Sequence, residues 1–96
     1  MRAVVLRSYG GPEVLGIEEI PAPQPGAEEI LVHVRATCLN RADILQRMGR
    51  YPNPFPDEFE VPGLEFAGTV MTIGDRVRQW RSGDSVMGIV SGGAYA

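Results

Sequence analysis

Lysine is missing from this 96-residue chain, and all nine basic side chains are arginine. That excludes Schiff-base chemistry and the phosphate-reaching lysine of a P-loop. There is one cysteine, Cys38, so no intramolecular disulfide can form, which fits a reducing compartment. There is one histidine, His33, and with so few thiols and imidazoles a metal site is unsupported. No apolar run approaches the ~18 residues that span a bilayer, and no basic stretch followed by an apolar core opens the chain. The expectation is therefore a cytoplasmic protein with no membrane partner. The arginines are scattered and the formal charge is −3, so no basic footprint for nucleic acid exists. No G-x-S-x-G elbow surrounds Ser8, Ser82, Ser85 or Ser91, and no GxGxxG or Walker glycine loop occurs.

What remains is β-rich. A hydrophobic fraction of 44% supports one globular domain over residues 1–96. Residues 2–7 read as an opening strand, Gly10-Gly11-Pro12 as a turn, and 14–20 as a second strand, together a hairpin or paired edge. Pro21, Pro23 and Pro25 then mark an extended connector whose spacing does not suit a PxxP ligand. Residues 29–39 form the clearest strand. Ile30, Val32, Val34, Ala36 and Cys38 share one face, and His33, Arg35 and Thr37 the other. On a straight strand His33 and Cys38 therefore cannot meet at one metal; His33 is expected at solvent and Cys38 as a small buried hydrophobe.

A short helix is predicted over 41–48, with Asn40 as N-cap, Asp43 at its third position and Gly49 at C′. Residues 51–62 hold four prolines and Phe55, which predicts a long surface loop. Strands come next at 64–73 and 86–90, with Trp80 between them as an aromatic plug. Gly92 to Ala96 reads as a turn and the first residues of another strand. The architecture is mainly β, a partly open antiparallel barrel or sandwich of five to seven strands with one short helix.

Several ordered motifs carry a resemblance. They are Leu39-Asn40-Arg41-Ala42-Asp43, Gly49-Arg50-Tyr51-Pro52 and Pro62-Gly63-Leu64-Glu65-Phe66-Ala67-Gly68. Gly10-Gly11-Pro12-Glu13-Val14-Leu15 and Trp80-x-x-Gly83-Asp84-x-Val86 support them. The set is similar to the N-terminal GroES-like catalytic domain of the medium-chain dehydrogenase/reductase superfamily, over essentially the whole chain. Within it, the chain resembles the zinc-free NADPH:quinone oxidoreductase branch, of the p53-inducible type. Zinc-dependent alcohol dehydrogenases of that superfamily place a cysteine at position 40 and a histidine at 64. Asn40 and Leu64 supply neither thiolate nor imidazole, so the resemblance implies no catalytic zinc.

The resemblance further implies NADPH held mainly by a Rossmann domain beyond this chain, with the 96 residues forming the N-terminal part of a longer protein and being inactive alone. It implies a quinone or enone as small-molecule substrate and a homodimer as the full-length assembly. Asn40 and Tyr51 match family positions facing the cleft, where they would touch both acceptor and cofactor. An amide donates to an oxygen without titrating, and a phenol both donates and stacks on a flat ring. Each also has a plainer reading: Asn40 as the helix cap, Tyr51 as packing beneath the proline loop. Glu65 lies behind the site or, more simply, is a strand residue paired with an arginine. An enoyl reductase module of the polyketide-synthase type and a non-catalytic GroES-like interaction module are the alternatives, and fold alone does not choose between them.

Overall fold

The computed structural model describes residues 1–53 and 58–96. Residues 54–57, which include Phe55 and part of the proline-rich stretch read as a loop, lie outside the described residues. The chain runs β1 (Arg2–Leu6), a single 3-10 turn at Pro12–Val14, β2 (Leu15–Glu19), β3 (Ile30–Thr37), α1 (Arg41–Arg47), β4 (Glu65–Ile73) and β5 (Ser85–Ile89). The strands form two antiparallel sheets, β1-β2 and β3-β4-β5, and neither closes on itself. The partly open, mainly β architecture with one short helix is the one expected. Gly10-Gly11-Pro12 sets up the turn of the β1-β2 hairpin, whose register runs from Arg2 opposite Glu19 to Leu6 opposite Leu15.

The sheets are joined by irregular backbone. Residues 90–95 lie against 61–64, with Val90 N–H donating to Leu64 O at 2.7 Å, Gly93 to Val61 at 2.9 Å and Tyr95 to Pro62 at 3.1 Å. The free edge of β1 then takes both segments: Leu6 N–H donates to Glu60 O and Val4 N–H to Tyr95 O, each at 2.9 Å. Residues 92–96 are thus a buckle of turns between hairpin and three-stranded sheet, not the start of a strand. The buried apolar side chains are few and small: Ala3, Val5, Leu6, Val14, Val70, Val77 and Ala94. Such a core gives limited stability, so backbone bonds at these joints carry much of the shape.

Expectation and structure part at β3. Its pairing with β4 shifts register between Leu31 and Val32 and again between Val34 and Ala36. Between the shifts the alternation holds, with Val32 and Val34 half-buried and His33 and Arg35 exposed. Past the second shift Ala36, Thr37 and Cys38 are all exposed. The first shift leaves Met71 unpaired on β4 and the second leaves Arg35 unpaired on β3, so the alternation of β3 breaks after Val34 in a way parity counting cannot anticipate. Cys38 is consequently a surface thiol, not a buried hydrophobe. Trp80 is likewise not a plug; at 41% exposure it covers a shallow hollow with Glu28, Ile30 and Arg76.

Gly74 closes the turn after β4, where its N–H donates to Glu29 O at 2.8 Å. A Cβ there would collide with the backbone of Gly26 and Ala27. Backbone cannot rotate away as a side-chain tip can, so Gly74→Ala is expected to destabilise the fold by roughly 1–3 kcal/mol. Denaturant unfolding measures it, and an unchanged midpoint would show that the turn yields freely.

Candidate functional site

Strand β3 hands the chain to α1 through Cys38-Leu39-Asn40. Asn40 has extended backbone (φ −122°, ψ 154°), which suits a residue that ends a strand and caps a helix. Its backbone N–H donates to Asp43 Oδ2 at 2.7 Å, and the Asp43 N–H donates back to Asn40 O at 3.1 Å. The N-cap role expected of Asn40 and the placement of Asp43 in the first turn are both realised. Arg41 rather than a β-branched residue opens the helix, and Gly49 ends it at φ +74°, a conformation that favours glycine.

The Asn40 side chain does something further. Its Nδ2–H donates to Glu65 Oε2 at 2.7 Å, fixing the amide against the first residue of β4. Sequence alone favours an arginine partner for Glu65; the structure gives it the Asn40 amide instead. No sequence rule pairs residues on either side of a helix and a long loop, so only the β3-β4 register could reveal it. An amide nitrogen carries two N–H groups. With one held by Glu65, the direction of the second is set as well.

Asp43 is 8% exposed and its Oδ2 takes a second donor, the Tyr95 hydroxyl, at 2.6 Å. The Cys38 carbonyl lies 3.3 Å from the same hydroxyl. Asp43 Oδ1 is buried with no hydrogen-bond partner among the described residues. Tyr95 also presses its ring against Gly63, where any Cβ would collide with it. At the other end of α1, Gln46 Nε2 and the Tyr9 hydroxyl both donate to Glu60, at 3.1 and 2.8 Å. The Glu60 carboxylate, through that bond and its charge, raises the Tyr9 phenol above its ordinary value. Sequence reasoning singled out neither Tyr95 nor Glu60. A Gly-Gly-Ala-Tyr segment offers no spacing signal for a contact 52 residues away.

Around the corner, Thr37, Cys38, Glu65, Phe66, Met87 and Ile89 line an apolar hollow of about 350 Å³. Met87 and Ile89 stand 85% and 80% exposed on β5, the outer strand of its sheet. Asn40 meets this hollow only through Glu65 and is not part of its lining. Tyr51 lies past the end of α1, 37% exposed, its hydroxyl without a partner among the described residues, and it does not line the hollow. Within these residues Asn40 and Tyr51 therefore do not face one enclosed cavity. Among the described residues no three His, Cys, Asp or Glu side chains converge as a metal-binding group.

Against known proteins, residues 26–95 match the alcohol dehydrogenase GroES-like domain. The chain is 40% identical to the mouse "Synaptic vesicle membrane protein VAT-1 homolog-like", covering 100% of this chain and 23% of that protein. It is 36% identical to the quinone oxidoreductase of Lama guanicoe, covering 97% of this chain and 29% of that one. Among solved structures, Escherichia coli quinone oxidoreductase complexed with NADPH superposes with a TM-score of 0.90 at 33% identity, over 100% of this chain and 29% of that one. The chain thus spans less than a third of the length of these relatives.

Tyr95, through its burial and its bond to Asp43, is expected to make the fold sensitive to alkali. Burial first, then the hydrogen bond to Asp43 and its negative charge, push the Tyr95 phenol well above its ordinary value of 10.0. Below pH 10 the phenol is protonated whether folded or unfolded, and its contribution is complete. As pH rises past 10 the unfolded chain loses the proton and the folded chain does not, so stability falls. Tyr95→Phe is expected to flatten that alkaline slope, read as melting temperature between pH 8 and 11. An identical slope in the variant would locate the sensitivity elsewhere.

Proposed function

The chain belongs to the alcohol dehydrogenase GroES-like domain family, and from that premise we propose that it forms the acceptor side of an NADPH-dependent reductase. The substrate would be a quinone or a conjugated enone, reduced without zinc. The observation that carries the reading is the Asn40 amide, held rigid by Glu65 and standing where zinc-dependent members of the superfamily place a cysteine. An amide already bonded to a carboxylate, with Leu64 nearby in place of a histidine, offers no thiolate or imidazole to a metal. Relatives named as quinone oxidoreductases, one of them solved with NADPH, support the substrate class and the cofactor.

The residues present fit one end of that cofactor. A donor amide and a half-exposed phenol suit the flat, carboxamide-bearing ring of a nicotinamide. Among the described residues there is no strand, glycine turn and long helix to cradle a pyrophosphate. Asn40 and Tyr51 would therefore touch the nicotinamide end, with the phosphates held outside these residues. NADPH, when bound, supplies the hydride. Asn40 donates its second N–H to the acceptor oxygen, where negative charge grows as the hydride arrives, and Glu65 keeps that donor from turning away. Tyr51, exposed past the end of α1, would deliver the proton to the same oxygen once the rest of the full-length cleft brings it beside Asn40. One hydride and one proton together convert a quinone to its hydroquinone, and the balance needs no other reactant.

In the full-length protein, Asn40→Ala is expected to lower kcat by about 100-fold, the scale for losing one aligned donor to a developing oxyanion. It should also cost about 1 kcal/mol of stability as a lost cap. Tyr51→Phe is expected to lower kcat about tenfold, near the lower end for general acid catalysis; unchanged turnover would remove the hydroxyl from the mechanism. Elemental analysis of the purified protein should find zinc far below one per chain, and one tightly bound equivalent would refute zinc-free chemistry.

A further inference from the structure

We propose that Tyr95 is a positioning residue for this site: its hydroxyl latches Asp43 so that Asp43 in turn sets the orientation of Asn40. The inference rests on the reductase reading for its catalytic consequence, while the latch itself stands on geometry. One carboxylate oxygen, Asp43 Oδ2, receives both the Tyr95 O–H at 2.6 Å and the Asn40 backbone N–H at 2.7 Å. Asp43 is 8% exposed, and its other oxygen is buried without a partner among the described residues. Without Tyr95, the Asn40 N–H would be the one donor left to this buried carboxylate among the described residues. Such a group either rotates toward water or draws water in, and both move the residue it holds.

Tyr95 is itself tightly placed. Its N–H donates to Pro62 O at 3.1 Å, its carbonyl accepts from Val4 N–H at 2.9 Å, and its ring lies against Gly63. The phenol therefore transmits to Asn40 the relative position of three separate segments: β1, residues 62–63 just before Glu65, and residues 92–96. Glu65 grips the Asn40 side chain from β4 while Asp43 grips its backbone from α1. With both held, the amide has one direction in which to present its remaining N–H.

The test compares Tyr95→Phe with Tyr9→Phe in the full-length protein. Tyr9 makes a similarly short phenol–carboxylate bond, to Glu60 at 2.8 Å, at the far end of the same helix and without touching Asn40. Two readouts are taken on each: amide hydrogen exchange at the Asn40 backbone N–H, and quinone reduction with NADPH. Tyr95→Phe is expected to speed Asn40 exchange at least tenfold relative to Val70 in the core. It should also lower kcat about tenfold while the acceptor KM changes less than twofold. Tyr9→Phe should leave both within twofold. Unchanged Asn40 exchange in Tyr95→Phe overturns the latch whatever turnover does, and so does equal loss in Tyr9→Phe. Faster exchange with undiminished kcat overturns the positioning role. A wild-type protein that reduces no quinone or enone, yet shows the exchange difference, defeats the reductase reading and supports the latch.

Discussion

The Asp43 carboxylate is the constraint on which the site depends. Taking an ion of this size out of water costs several kcal/mol. Two charge-assisted bonds to Oδ2, each contributing about 1.5–3 kcal/mol, offset that cost with little to spare. One donor is the backbone N–H of the helix's N-cap, Asn40, and the other is the Tyr95 hydroxyl. Burying the carboxylate thus requires the corner and the segment carrying Tyr95 to be in place together. A cap on an exposed helix would impose no such condition.

That coupling matters because the fold has little else to hold its parts together. The hairpin and the three-stranded sheet share no strand, and the buried apolar side chains are mostly alanine and valine. What joins them is the paired run of 61–64 with 90–95, bonded through Tyr95 to the free edge of β1. Glu60 anchors the same region to α1 through Gln46 and to the first turn through Tyr9. The helix is therefore fixed at its start by Asp43 and at its end by Glu60, which keeps the corner rigid although α1 has only seven residues. A helix of that length would not persist alone.

This fixed geometry is what the proposed reductase would need, because hydride transfer asks a protein chiefly to align two reactants and to meet charge where it appears. A metal would do so with a strong Lewis acid. In the reading proposed here the means would be a neutral amide, held through its side chain by Glu65 and through its backbone by Asp43. Glu65, which holds that amide, also lines the hollow beneath the exposed apolar strip of Met87 and Ile89, so donor and apolar surface share one anchoring residue.

Local chemistry was legible along the chain itself: Gly-Gly-Pro for the hairpin turn, Asn-x-x-Asp for the helix start, Gly49 for its end, and alternation for the middle of β3. These features depend on neighbours within a few residues, whose preferences are intrinsic. The ordered motifs also carried the family. What tertiary structure alone decided were the partners across distance and the consequences of irregular pairing. The register shift that leaves Arg35 unpaired in β3 breaks the alternation just before Cys38, which ends up exposed, and nothing in composition marks it. Glu65 met Asn40 instead of an arginine because two strands happen to align there. Tyr95 reached Asp43 because the buckle folds back across the sheets. Residue order determines which groups can bond; only the closed fold chooses which of them come within reach.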